Sequence, residues 1–163
     1  MIPLRLVLAA IVSSFASACA SEGVVAPRIL TVTSELRNAP EVVSLEGVAV
    51  HLETYLWRDF QPISPPDGKP LLALVRIKGA GGTVLPATLK ADSVWIVNGE
   101  LAWVASLREE QPRGPDLSFF EAMARDGPKW GPGITVDVVV RLRNVSGQRV
   151  LVRVGGQMVH RTD

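Results

Sequence analysis

The amino-acid sequence predicts an all-β protein, specifically an antiparallel β-sandwich that is immunoglobulin-like in broad architecture. About eight or nine short segments are rich in β-branched residues or alternate apolar with polar residues, and turn residues separate them. Hardly any segment has the apolar spacing of an amphipathic helix. A closed β-barrel is the alternative, because the same strands can surround one axis. The chain has a single cysteine, so the disulfide of antibody domains is absent and only the architecture is expected to be shared.

The strands follow one another between clear turn signals. Asn38-Ala39-Pro40 separates the first two strands, and the proline-rich segment 62–68 ends the long third strand because proline lacks an amide donor. Asn98-Gly99 lies between two apolar runs and predicts a two-residue type I′ hairpin that brings Trp95 near Trp103. The predicted strands are 29–33, 41–45, 48–56, 71–78, two runs within 93–107, then 134–143, 149–154 and 157–161.

Two places in the second half of the chain need a separate interpretation. Residues 119–125 fit a short capped helix, because Ser118 precedes Glu121 by three residues, but they also alternate as a strand does. We favour a strand, since a helix this short is weak alone and its surroundings are β. Gly155-Gly156 predicts a bulge or bend before the last strand.

The N-terminal segment has the layout of a secretory signal peptide. Arg5 precedes an apolar run over 6–12, and small residues follow up to Cys19. The apolar run is too short to span about 30 Å of hydrocarbon as a permanent helix. We therefore expect the chain to be exported.

The end of this segment resembles the lipobox of bacterial lipoproteins, because Ala16-Ser17-Ala18 stands directly before Cys19. The resemblance covers residues 1–19 and implies a thioether-linked lipid on Cys19. It also implies a site at the outer membrane, on its periplasmic face, or at the cell surface, because Ala20 replaces the aspartate that marks inner-membrane retention. The alternative is ordinary cleavage after Ala18 or Ala20, which would give a soluble periplasmic or secreted protein.

These observations divide the chain into three parts. Residues 1–18 are the signal peptide, 19–27 are the lipidated cysteine and a tether, and 28–163 are a single β-sandwich domain. The whole chain has 17 basic and 16 acidic residues, and loss of Arg5 with the signal leaves 16 of each. This balance excludes the usual electrostatic signature of nucleic-acid binding. We therefore expect membrane contact through the lipid anchor only, and no cofactor.

A polar and aromatic stripe on the third strand is the first candidate binding surface. Side chains two apart on a strand lie on the same face, so one stripe contains His51, Glu53, Tyr55, Trp57 and Asp59. Aromatic rings beside ionisable groups suit a carbohydrate or a peptide. The alternative is an ordinary solvated face, in which Arg76 and Lys78 pair with the carboxylates.

Two loops extend this surface. Loop 57–68 contains Trp57, Arg58 and Asp59, and loop 126–133 contains Trp130. Both are rich in proline and glycine and have a tryptophan beside charged residues, a composition suited to a rigid anchor in an interface. The leading hypothesis is therefore a non-enzymatic module of the cell envelope that binds an envelope protein, a peptide or a glycan.

A small copper-type metal protein or a hydrolase that uses His51 or His160 is the alternative function. Met158 and His160 would share a strand face, and copper(I) accepts thioether and imidazole ligands. No zinc-binding pattern and no nucleophile motif accompanies them. These three residues are therefore only weak metal candidates, and no metal site is predicted.

Overall fold

A computed structural model of the chain describes residues 26–163, and it confirms the all-β class. The one α-helix in this range, α1, is a single turn at Ser34–Arg37, and a 3-10 turn lies at Ala80–Gly82. None of the helices between residues 26 and 163 is long and apolar enough to cross a membrane. The strands are β1 Arg28–Thr31, β2 Val43–Leu45, β3 Val48–Asp59, β4 Leu71–Gly79, β5 Lys90–Asn98, β6 Leu101–Ser106, β7 Phe119–Gly127, β8 Thr135–Arg143 and β9 Arg149–Thr162.

The strands form one mixed sheet that curls into a half-barrel. Its order is β1-β6-β5-β8-β9-β3-β4-β7, and β2 pairs with β3. All neighbouring strands are antiparallel except β3 and β9, which are parallel. The antiparallel immunoglobulin-like sandwich is therefore not confirmed. Beyond β6, Arg108 and Met123 exchange two backbone hydrogen bonds of 3.0 and 2.8 Å, which join the chain to β7.

The concave side of the sheet contains the main hydrophobic core. Side chains of β4 alternate between buried and half-buried along the whole strand, as the sequence pattern predicts. Burying a Val or Leu side chain contributes about 1.5–3 kcal/mol, so this shared core holds the two halves of the sheet together. The largest fully buried side chains include Trp103, Leu45, Leu56, Leu71, Ile77, Leu89, Ile96 and Leu142.

The segment between β1 and β2 covers part of the convex side. The Thr33 hydroxyl accepts a 3.4 Å hydrogen bond from the amide of Leu36, which caps α1. Leu36 and its neighbours pack against Val97, Ala102 and Val139 in a second apolar cluster. Both faces of this part of the sheet are thus covered, which explains why three successive valines, 138–140, are all fully buried.

The β5–β6 hairpin differs from its prediction by one residue. Asn98 pairs with Leu101, so the two-residue loop is Gly99-Glu100, and Gly99 has a φ of 61°. A positive φ at only the first loop position is the type II′ pattern. Trp95 pairs with Val104 and Trp103 pairs with Ile96, and neighbouring pairs along two strands point to opposite faces of the sheet. Trp103 therefore lies in the core and Trp95 on the convex face, and the prediction that they lie near each other is wrong.

The other two local predictions are confirmed. Residues 119–125 are part of β7, where they alternate between buried and half-buried positions. The Gly155-Gly156 pair lies at a bulge, because the β8–β9 register shifts between Val136 and Val138 there. Beyond this bulge β9 pairs with β8 through Met158 and with β3 from Val159 to Thr162, so one strand serves both halves of the sheet.

The strand directions give the domain two ends. The entry end is where residues 26–27 lead into β1, and it also contains the connections 46–47, 80–89, 107–118 and 144–148. The distal end contains the connections 60–70, 99–100 and 128–134. The two loops predicted to bind a partner are both at the distal end.

At the entry end, Arg113 joins two connections. Its guanidinium donates two hydrogen bonds to the Glu109 carboxylate, at 2.9 and 2.8 Å, and one of 2.5 Å to the carbonyl of Leu89. The guanidinium carbon also lies 3.9 Å from the centre of the Phe120 ring. The hydrogen bond from Arg113 lowers the pKa of Glu109 below its ordinary value.

Replacing Glu109 with glutamine should lower the free energy of unfolding at pH 7 by about 1–2 kcal/mol, because two charge-assisted hydrogen bonds are weakened. A carboxyl whose pKa is lowered by folding stabilises the protein above its unfolded pKa of about 4.3, and this contribution is lost as the pH falls through the folded pKa. The difference between wild type and E109Q in urea unfolding should therefore shrink below about pH 4. E110Q is the control, because the Glu110–Arg125 pair is more exposed. An equal effect of both variants, or an E109Q effect that is independent of pH, would contradict the prediction.

Candidate functional site

Three rings meet on the convex face of β3 and β9, close to the distal end. The parallel pairing places Trp57 opposite His160. The Tyr55 and His160 rings are stacked, with centroids 4.8 Å apart and planes at 16°, and the Trp57 ring lies 5.4 Å from Tyr55. Tyr55 is 43% exposed, His160 is exposed and Trp57 is half-buried. We call these three residues the aromatic cluster.

Ion pairs flank the aromatic cluster on the side of the entry end. Lys78 donates a 2.7 Å hydrogen bond to Glu53, and Arg76 lies 3.5 Å from the same carboxylate. Arg76 also pairs with Glu121 at 2.6 Å. The hydrogen bond from Lys78 lowers the pKa of Glu53. The alternative considered for this stripe is therefore correct for Glu53, whose charge is already balanced by its neighbours.

A shallow hollow flanks the cluster on the other side. It has a volume of about 280 Å³ and lies beside the Trp57 ring. Asp59 accepts a 2.8 Å hydrogen bond from Lys69 at its edge, and this bond is the main reason that the pKa of Asp59 is lowered. Arg125 and Asp126 line the opposite edge. The hollow therefore combines one apolar ring with charged groups of both signs.

Arg58 lies on the opposite face of β3 from these residues and is only 3% exposed. Its guanidinium donates to the carbonyl oxygens of Lys69, Lys129 and Gly131, at 2.9, 3.1 and 2.7 Å, and also to that of Asp67. Burial lowers the pKa of Arg58. The prediction that Arg58 belongs to an exposed partner surface is therefore wrong. Arg58 instead joins loops 60–70 and 128–134 from beneath.

The two predicted loops are thus neighbours. Besides their shared contacts with Arg58, they are linked by a 2.5 Å ion pair between Lys129 and Asp67. Trp130 is half-buried and packs partly against the main core, so it supports its loop from inside. The most exposed large apolar side chain within residues 26–163 is Ile63, at 88%, and it was not among the predicted site residues.

The weak metal candidates do not all lie together, because His51 is far from Met158 and His160 on β9. His51 is opposite Lys78 and six residues before Trp57 on β3, so it is about 20 Å from His160 at the rise of an extended strand. Met158 is 53% exposed, two residues before His160. Within residues 26–163, no group of three or more His, Cys, Asp or Glu side chains could hold a metal ion. Cys19 lies outside the described residues.

Comparison with known proteins adds no further assignment. No protein-family model matches the chain, and no curated protein and no solved structure matches it either. The features of the chain that bear on function are therefore those at and near the distal end: an aromatic cluster, a hollow with charges of both signs, and two loops fastened to each other.

Proposed function

We propose that this protein is a lipid-anchored, extracytoplasmic binding module of the bacterial cell envelope. Its ligand is a glycan or a peptide segment of an envelope partner, bound on the aromatic cluster and the adjoining distal loops. The observation that carries the proposal is the stacking of Tyr55 on His160 beside Trp57 at an exposed position.

The chemistry of this surface favours a ligand with one apolar and one polar side. Ring faces give flat apolar contact at little cost in conformational entropy, which is why tyrosine and tryptophan recur in recognition surfaces. Asp59, Lys69 and Arg125 at the edge of the hollow supply donors and acceptors for hydroxyl or amide groups. A sugar ring, or a peptide containing proline or an aromatic residue, has this combination of faces.

The architecture supports the same proposal. Core residues of β3, β4 and β7 pack against those of β5 and β8. We therefore propose that domain 28–163 is a sandwich whose two layers are the two halves of the curled sheet. The loops at the distal end are connected to rigid strands and to each other through Arg58. A surface held in this way is already organised before a ligand binds, which lowers the entropic cost of binding.

The test is co-sedimentation of the mature protein with purified bacterial cell-wall sacculi. The double variant Tyr55→Ala/Trp57→Ala should weaken binding at least about tenfold, because buried aromatic anchors dominate interface energies. Trp95→Ala is the matched control: Trp95 is also half-buried and on the convex face, but it belongs to the other half of the sheet. Sacculi separated into free glycan strands and stem peptides then show which of the two chemistries binds.

Equal losses for the double variant and for Trp95→Ala would mean that the aromatic cluster is not the binding surface. Absence of binding to intact sacculi, glycan strands and stem peptides would reject cell-wall material as the ligand. The midpoint of urea unfolding, measured for each variant, checks that the variants remain folded.

A further inference from the structure

The β8–β9 hairpin at the entry end holds an apolar side chain in water. Val145, at its tip, is 75% exposed. The turn is ordered by Asn144, which is 7% exposed. The Asn144 side-chain oxygen accepts hydrogen bonds from the Ser146 hydroxyl at 2.7 Å and from the Gln148 amide at 2.9 Å. Val145 is therefore projected by a fixed turn and does not belong to an irregular loop.

A row of cations crosses the convex face directly behind this tip. Lys90 pairs with Arg143 on the neighbouring strand, and Arg143 pairs with Arg149 on the next. Like charges directly opposite one another destabilise a sheet. Two of them have ion-pair partners that they share with other cations: Lys90 donates a 3.4 Å hydrogen bond to Glu109, which also binds Arg113, and Arg143 is 3.9 Å from Asp92, which also binds Arg141. Arg149 has no ion-pair partner among residues 26–163, so the row retains positive charge in a chain that is nearly neutral as a whole.

The row of cations lies at the entry end of the domain. Residues 26–27 lead into β1 at the same end, and the segment that precedes them contains Cys19. Two more exposed apolar side chains lie on connections at this end, Val84 and Leu117, at 60% and 45% exposure. A backbone hydrogen bond of 2.8 Å between Leu85 and Leu117 holds those two connections together. Exposed apolar tips beside clustered cations are the composition of a surface that lies on an anionic bilayer.

We propose that the entry end docks on anionic lipid headgroups. The Val145 side chain enters the interfacial region of the bilayer, while Lys90, Arg143 and Arg149 contact lipid phosphates. The proposal goes beyond ligand binding at the distal end, and it does not require lipidation of Cys19, because the docking groups belong to the folded domain. Membrane contact would then involve more than the lipid anchor.

The test is hydrogen exchange of the mature protein as a bacterial host produces it. Exchange is measured with vesicles of phosphatidylcholine alone and with vesicles in which about a third of the lipid is anionic phosphatidylglycerol. Peptides covering 143–149 should exchange more slowly with the anionic vesicles only, while peptides covering 61–69 should not change. Each cation near an anionic surface contributes about a fivefold shift in the bound-to-free ratio, so Arg143→Gln/Arg149→Gln should reduce that ratio about thirtyfold. Val145→Asp should also abolish the slowing.

Arg37→Gln/Lys129→Gln is the matched control, because it removes the same charge from exposed positions at the distal end. The proposal is overturned if exchange at 143–149 is the same with both vesicle types, or if the control variant loses the slowing as completely as the hairpin variant. Slowing by inorganic phosphate alone, equal to that by anionic vesicles, would show a phosphate site and not a membrane surface, and would also overturn it. Failure of the sacculus assay would leave this result unaffected, because the two surfaces are at opposite ends.

Discussion

Arg58→Ala should lower the free energy of unfolding by about 3–4 kcal/mol, since buried acceptors left without donors cost about 1–3 kcal/mol each and only some regain water. The guanidinium is the shared donor for carbonyls in two loops, Asp67 and Lys69 in one and Lys129 and Gly131 in the other. Urea unfolding measured by tryptophan fluorescence gives the change directly. Hydrogen exchange in 60–70 and 128–134 should accelerate before the rest of the domain opens.

Two further variants distinguish the donor geometry from charge alone. Arg58→Lys keeps the charge but has no planar fork of five donors, so it should recover less than half of the lost stability. Arg76→Ala removes an arginine from the next strand, where the side chain is 41% exposed, and should cost at most about 1 kcal/mol. If Arg58→Ala destabilises the protein no more than Arg76→Ala, the two loops are held together by something other than Arg58.

In a bacterial host, Cys19→Ala should block lipoprotein maturation, so that the variant no longer partitions into membranes as the wild-type protein does. Acyl chains contribute about 0.8 kcal/mol per buried methylene, so several chains on one cysteine hold a domain far more firmly than the cation row can. The wild-type protein should partition into detergent, and its mass should exceed that of chain 19–163 by a diacylglyceryl group or more. A high salt concentration should not release it, because salt screens charges and leaves acyl insertion intact.

Thiol labelling supplies an independent control for this prediction. Cys19 is the only cysteine in the chain, so a lipidated protein should not react with maleimide after denaturation. A water-soluble product that begins at Cys19 without added mass, or at Ser21 with the cysteine removed, would reject lipidation. Neither result would change the description of residues 26–163.

Local patterns were sufficient for the elements of the fold but not for their arrangement. Alternation in 48–56 and 134–143 predicted β3 and β8 because one face of each is apolar. The hairpin register was wrong because a glycine with positive φ fits either position of a two-residue loop, and the pairing of Asn98 with Leu101 places Gly99 at the first. The parallel pairing of β3 with β9 joins segments about 100 residues apart, and no short pattern encodes such a contact.

In the candidate site, too, relations within one strand were predictable from the sequence, and contacts between distant segments were not. Tyr55 and Trp57 were predicted to share a face, because strand periodicity fixes that relation. His160 was considered only as a metal ligand or a hydrolase residue, because its stacking on Tyr55 depends on the β3–β9 pairing. Arg58 was assigned to the surface because it neighbours polar residues in sequence. Its four carbonyl acceptors come from loops whose paths no local signal describes.

The place of β9 in the sheet also determines when the domain can fold during its biosynthesis. β9 is the last strand along the chain, yet it lies between β8 and β3 near the middle of the sheet order. The ribosome must therefore release residues 156–162 before the two halves can join, and a nascent chain that lacks them has open strand edges. Until those residues emerge, the edges of β3 and β8 that β9 will occupy are open to pairing with another chain, so aggregation is the hazard of this order of assembly.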